Sequence, residues 1–316
     1  MFMIYQISLL LVSFVLSLCL VFLFKKISEK YNFAVDISDG GVLKIHSKKI
    51  SLLGGAGFAL AFIIVLSFNY GYDNLNMFLA ILVGGIIIFL LGFYDDIKWK
   101  MDSKKQSLKF LFLILCSFVP AIILYYSSIS FNFLPFLPIT IILTFLYIFG
   151  AINSINYQDG IDGLAGGLVL ISLIGFIILG FLSGNIFALN IAIILCGALL
   201  GFMIFNFPPA KIFMGDSGAY FLGFMLAVLA MIFCKPYNIF SIIGAILIIG
   251  IPVFDGIYTN FRKIVCKQSL FSGDRLYYYD KLMQKYSIYK TLFIAYFVQA
   301  IFVILGTMMY IKMYGL

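Results

Sequence analysis

Four polar side chains, Asn153, Asn156, Asp159 and Asp162, recur every three residues in the stretch N-S-I-N-Y-Q-D-G-I-D-G-L-A-G-G, between two segments apolar enough to lie in a bilayer. A regular α-helix turns every 3.6 residues, so this register walks around the cylinder and separates the first from the last. A tighter turn, or a helix end unwound at Asp159-Gly160 and Asp162-Gly163, gathers them on one side. Asp-Gly pairs are also ordinary turn formers, and an Asn beside a membrane helix is often only its cap. Carboxylates and amides against hydrocarbon are costly and usually functional, which favours a site. An EF-hand is excluded, because no acid follows at the twelfth position.

Three further carboxylates, Asp95, Asp96 and Asp216, stand at the ends of other apolar segments. Like charges brought together at reduced dielectric cost several kcal/mol unless countered, and a hard dication is the natural counter-ion. Magnesium, with manganese as its substitute, takes oxygen ligands: one or two carboxylates, water and substrate phosphates. With surplus Lys and Arg nearby, a phosphorylated substrate is expected and nucleic acid is not.

The elements that position these groups are transmembrane helices. The chain of 316 residues is 64% apolar and 11% charged, with a mean hydropathy of +1.13, which excludes an ordinary soluble globule. Crossing a bilayer takes about 20 residues. Ten segments approach or exceed that, at roughly 2 to 24, 51 to 68, 76 to 94, 109 to 127, 133 to 152, 164 to 182, 186 to 206, 218 to 234, 238 to 258 and 291 to 313. Continuous apolar runs without strand alternation predict helices rather than a barrel. No basic residue precedes the first run and Lys25-Lys26 follow it, so it reads as a span and not as a cleaved signal. The five cysteines offer neither a disulfide framework nor a zinc site. No long repeat or linker divides residues 1 to 316, which read as one domain.

The loops 25 to 50, 95 to 109, 153 to 163, 206 to 217 and 259 to 290 hold 19 of the 21 Lys and Arg. The positive-inside rule therefore places these five loops in the cytoplasm and both termini on the outer side. Of the 13 acids, only Asp73 falls outside that face. The first loop carries Lys44 and the sole histidine, His46, in a basic stretch suited to anionic lipid headgroups or to substrate. The second opens with Asp95-Asp96 and continues through Lys104, Lys105 and Lys109. In the fourth, Pro208-Pro209 stop a helix and Gly215-Asp216-Ser217-Gly218 enter the next, where a cap and a phosphate seat are compatible. In the fifth, Leu276, Tyr279, Met283 and Tyr286 fall at helical spacing and predict a short helix on the membrane surface, with Arg275 placed to meet phosphate.

The strings Y-D-D, N-S-I-N-Y-Q-D-G-I-D-G-L, F-N-F-P-P-A-K-I-F-M-G-D-S-G and I-P-V-F-D resemble the signatures of the polyprenyl-phosphate N-acetylhexosamine-1-phosphate transferases, from about Asp36 to Lys285. That resemblance implies transfer of a sugar 1-phosphate from a UDP-N-acetylhexosamine to undecaprenyl phosphate, with release of UMP, in a bacterial inner membrane with the active site facing the cytoplasm. It implies Asp216 and Asn156 as magnesium ligands, and Asp95 with Asp96 as the acids that deprotonate or orient the acceptor phosphate. Asp159 and Asp162 would be nucleotide- and sugar-side acids supported by Asn153. Lys104, Lys105 or Lys109 would neutralise phosphate. Membrane lipids are expected neighbours, and a homodimer is an assembly open to such a chain.

One departure is visible. After Asp274-Arg275 the family carries a histidine-rich run, whereas D-R-L-Y-Y-Y-D has Tyr277, Tyr279 and Asp280 there. The change argues against the pentapeptide transferase of peptidoglycan synthesis and for a relative that starts another surface glycan. Two other classes compete: a transporter of lipid-linked intermediates, and an inactive membrane scaffold. Transporters bury charge near the midplane, whereas these acids lie at segment ends.

Overall fold

The structure, a computed structural model, describes residues 1–36, 49–69, 74–99, 106–131, 136–268 and 276–313. It is an all-α bundle of a multi-pass membrane protein. The helices are α1 (Phe2–Tyr31), α2 (Gly54–Ser67), α3 (Leu75–Tyr94), α4 (Gln106–Tyr126), α5 (Leu137–Gln158), α6 (Leu164–Ser183), α7 (Ile186–Asn206), α8 (Gly215–Phe233), α9 (Ile239–Ile249), α10 (Ile251–Val265), α11 (Tyr278–Met283) and α12 (Ile288–Lys312). Two short antiparallel strands, β1 (Val35–Asp36) and β2 (Ile50–Ser51), close the base of the first loop.

Each of the ten expected segments has its helix, with two differences. Among the described residues eight helices are long and apolar enough to span, and α2, with 14 residues, is shorter. The expected span at 238 to 258 is broken: α9 and α10 meet at 86°. Gly250 makes this break, with φ at +63°, a conformation that a side chain disfavours. A break inside hydrocarbon leaves backbone groups without helical partners, and these must be satisfied within the protein. Gln299 of α12, fully buried, does so. Its Nε2 donates to the carbonyls of Ile248 and Ile249, each at 3.0 Å, and its Oε1 accepts from Ile251 N at 2.9 Å.

The centre of the bundle is α8, enclosed along nearly its whole length by α2, α3 and α5. On the flank, α1 packs on α7 through small residues. Gly197 and Gly201 let the backbone of α1 approach, and Ser13 and Ser17 donate to Ile194 O and Ala198 O at 2.6 and 2.5 Å. Close backbone contact and hydroxyl bonds replace the hydrophobic drive that helices lack in lipid.

Candidate active site

The acids converge where α3 and α5 end and α8 begins. Helix α3 runs past Tyr94 into a wider π-type turn, Asp95–Trp99, which places both carboxylates inward; such bulges are frequent at functional sites. Asp95 and Asp96 are 2% and 5% exposed. Asp95 forms an ion pair with Lys109 of α4 and its carboxyl also lies against Asp216. Asp96 turns to α8, whose first amides lack helical acceptors: its Oδ1 accepts from Asp216 N at 2.8 Å and its Oδ2 from Ser217 N at 3.0 Å. The cap expected from Asp216 or Ser217 thus comes from another loop. Gly215, with φ at +69°, has no Cβ, and one built there would meet Asp96 Oδ2 at 2.6 Å.

The third loop reaches the same place. Asn156, in the last turn of α5, donates through Nδ2 to Asp216 Oδ1 at 2.8 Å. Asp159 follows the end of α5 and lies among carboxylates. Burial first, then the charges of Asp216, Asp96 and Asp162, hold its carboxyl well above the usual range. Asp162 accepts from Ala210 N at 2.8 Å, which ties the third loop to the fourth. Asn206 adds a second tie, accepting from Gly163 N at 3.1 Å and donating to Ile212 O at 3.0 Å. The first loop joins as well: Phe213 N donates to Ser51 O at 2.8 Å and Gly54 N to Phe213 O at 3.0 Å.

Of the four residues of the opening stretch, Asn153 stays within α5 and donates back to Phe149 O at 2.7 Å, whereas Asn156 and Asp159 both lie against Asp216, and Asp162 is near enough to act on the charge of Asp159. Lys44, His46, Lys104, Lys105 and Arg275 lie outside the described residues. The short helix of the fifth loop forms as α11, with Tyr279 turned into the protein while Leu276 and Tyr286 beside the helix stay exposed. Tyr277 and Tyr279 are 8% and 2% exposed and pack in a core with Ile161, Leu164, Ile251 and Leu292, because α11 docks on α12 and on the end of α5. Sequence reasoning passed over Gln158 and Asp255. The amide of Gln158 donates to Asp255 Oδ2 at 3.0 Å, one residue before Asp159. The string I-P-V-F-D already contained the acid, but nothing local assigned its partner.

Among the described residues, no three of His, Cys, Asp and Glu come close enough to hold a metal by themselves. The donors are nevertheless those of a hard cation that takes few protein ligands: Asp216, with Asn156 fixed against it, and neighbouring acids. That set fits magnesium, whose remaining positions go to water and phosphate oxygens.

The family model for glycosyl transferase family 4 matches residues 78–234, α3 to the end of α8. A Bacillus subtilis (strain 168) protein described as a probable undecaprenyl-phosphate N-acetylglucosaminyl 1-phosphate transferase is 32% identical over 281 residues, 86% of this chain and 76% of the relative. The phospho-N-acetylmuramoyl-pentapeptide-transferase of Staphylococcus carnosus (strain TM300) is 30% identical over 70% of this chain and 74% of its own length. That of Thermoanaerobacter sp. (strain X514) is 34% identical over 74% and 77%. The matched region holds Asp95, Asp96, Lys109, the third loop and Asp216, and ends before the divergent fifth loop. With its acids gathered at the ends of membrane helices and this similarity across most of its length, the chain belongs to glycosyl transferase family 4, the phosphosugar transferases of the membrane.

Proposed function

We propose that this chain moves an N-acetylhexosamine 1-phosphate from a UDP-sugar, UDP-GlcNAc or a relative, to undecaprenyl phosphate at the cytoplasmic face of a bacterial inner membrane. The observation that carries the reading is the continuous set of contacts from Lys109 through Asp95 and Asp96 to Asp216 and Asn156, within the region matched by the family. An oxygen of the acceptor phosphate attacks the sugar-bearing phosphorus of the donor. The bond from that phosphorus to the bridging oxygen breaks, UMP leaves with the bridging oxygen, and the lipid pyrophosphate sugar remains. Lys109 is placed to exchange Asp95 for an acceptor phosphate oxygen, which frees Asp95 to take a proton from that phosphate. Asp96, with both oxygens on the amides of α8, fixes Asp216 against Asn156. Asp216 and Asn156 would hold magnesium, which when bound supplies positive charge to the donor pyrophosphate. Asp159 and Asp162 shape the donor side of the site.

The test is product formation from labelled UDP-GlcNAc, UDP-GalNAc and deoxy-amino-sugar donors with undecaprenyl phosphate, in the unaltered protein and in Asp216→Asn. The expected result is a labelled lipid with at least one donor, and a loss of roughly a hundredfold or more in the variant. Near-normal turnover by Asp216→Asn removes Asp216 from its role. A protein that inserts and binds donor without transferring it is a scaffold.

A further inference from the structure

Helix α5 must stop just before Asp159, and its final carbonyls have no helical donors. Asn156 O is taken by Asp159 N at 3.2 Å. Tyr157 O is taken from outside, by the hydroxyl of Tyr279 at 3.0 Å. The ring of Tyr279 is buried and held on two sides: it stacks on Tyr277 at 5.4 Å and 10°, and Tyr277 in turn lies 5.6 Å from Tyr157. Helix α11, which carries Tyr279, is fastened beside it, since Asp255 accepts from Tyr278 N as well as from Gln158. The hydroxyl sits directly over Gly160, where an added Cβ would collide with it.

We propose that Tyr279 is a positioning residue for the carboxylate cluster: its hydroxyl ends α5 at Tyr157, and its ring fixes the backbone at Asp159-Gly160 and hence the placing of Asp159 beside Asp216 and Asp96. In this chain the tyrosines that stand in place of a histidine run are therefore interior parts that shape the site from behind, not groups that touch substrate. The effect should be read in divalent-cation affinity, because Tyr157, whose carbonyl the hydroxyl takes, directly follows Asn156, and Asp159 lies against Asp216. Asn156 and Asp216 are the two residues that would hold the metal, whereas general loss of packing would lower stability and turnover at every metal concentration. The inference rests on the proposed transfer only for its kinetic readout.

The experiment uses the full-length protein in detergent, with Tyr279→Phe, Tyr279→Ala, Gly160→Ala and the double variant Gly160→Ala/Tyr279→Ala. Manganese binding is followed by electron paramagnetic resonance, and transfer is followed against magnesium concentration. Tyr279→Phe keeps the ring and loses one hydrogen bond, so its half-saturating manganese and half-activating magnesium should rise roughly three- to tenfold, with turnover at saturating magnesium within about twofold of the unaltered protein. Gly160→Ala should weaken binding by roughly ten- to a hundredfold, as loss of a ligand-orienting partner does, and the double variant should bind better than Gly160→Ala alone. Binding in Tyr279→Phe and Gly160→Ala equal to that of the unaltered protein overturns the proposal. So does a double variant no better than Gly160→Ala, or an unaltered protein that binds no manganese. The predicted binding pattern in a protein that transfers no sugar phosphate would sink the proposed reaction and leave this inference standing.

Discussion

Asn156 of α5 donates to Asp216 of α8 at 2.8 Å, across a separation of 60 residues, and this one bond joins the end of one helix to the start of the other. It fixes the orientation of the Asp216 carboxylate. Asn156→Ala should lower transfer by roughly ten- to a hundredfold, the usual cost of losing a group at a metal site of the kind proposed. Yield and elution in detergent should be unchanged. Turnover within twofold of normal would show that Asp216 needs no help from α5.

Lys109 neutralises Asp95, which is almost fully enclosed. Removing one member of a buried pair leaves an uncompensated charge, at about 3–5 kcal/mol. Lys109→Ala should therefore unfold at a clearly lower temperature, and the double variant Lys109→Ala/Asp95→Asn should regain most of that stability while staying inactive. A double variant as unstable as Lys109→Ala contradicts the pairing.

Asp159 supplies a pH dependence whose sign can be worked out. Burial and neighbouring acids hold its carboxyl well above the usual range in the fold, whereas in the unfolded chain it ionises near pH 4. Above that pH the folded state binds more protons than the unfolded one, so this group makes stability fall as pH rises. In EDTA, the thermal midpoint should decline as pH rises above about 5, and Asp159→Asn should flatten the decline. Magnesium should raise the midpoint, by about 2.7 kcal/mol of stability at a hundredfold excess over its dissociation constant. An unchanged slope in Asp159→Asn would refute this account.

Gln299 meets three backbone groups at the break before α10. Gln299→Leu keeps the bulk and strands those groups, at about 1–3 kcal/mol each where water cannot replace the bond. Circular dichroism on heating should show a lower midpoint with nearly unchanged helix content. A midpoint equal to that of the unaltered protein would mean that the break satisfies itself.

Hydropathy alone located the membrane-length helices among the described residues, because lipid demands long apolar runs. The bend at Gly250 was hidden, since an apolar run reads the same straight or broken and the partner that permits the break lies on α12. The acids at the site were legible as types in costly places. Their division of labour was not: Asp95 and Asp96 are adjacent in sequence, yet one faces Lys109 and the other caps α8, a choice made by a π-type turn that no periodicity reveals. Tyr279 misled in the opposite way. Its spacing with Met283 matches α11, whereas Leu276 and Tyr286 fall outside that helix, and spacing alone does not show that the Tyr279 ring is buried in the protein.

Helix α8 is the most enclosed of the spanning helices and also the least apolar of them. Lipid therefore has little hold on it. A segment of this kind gains its place in the membrane mainly from its companions, so during biogenesis it must wait for α3 and α5 to surround it. Asp216, in its first turn, meets Asp96 and Asn156 only once the bundle has closed around the helix, so under the proposed reaction a half-assembled chain is inert toward its substrates.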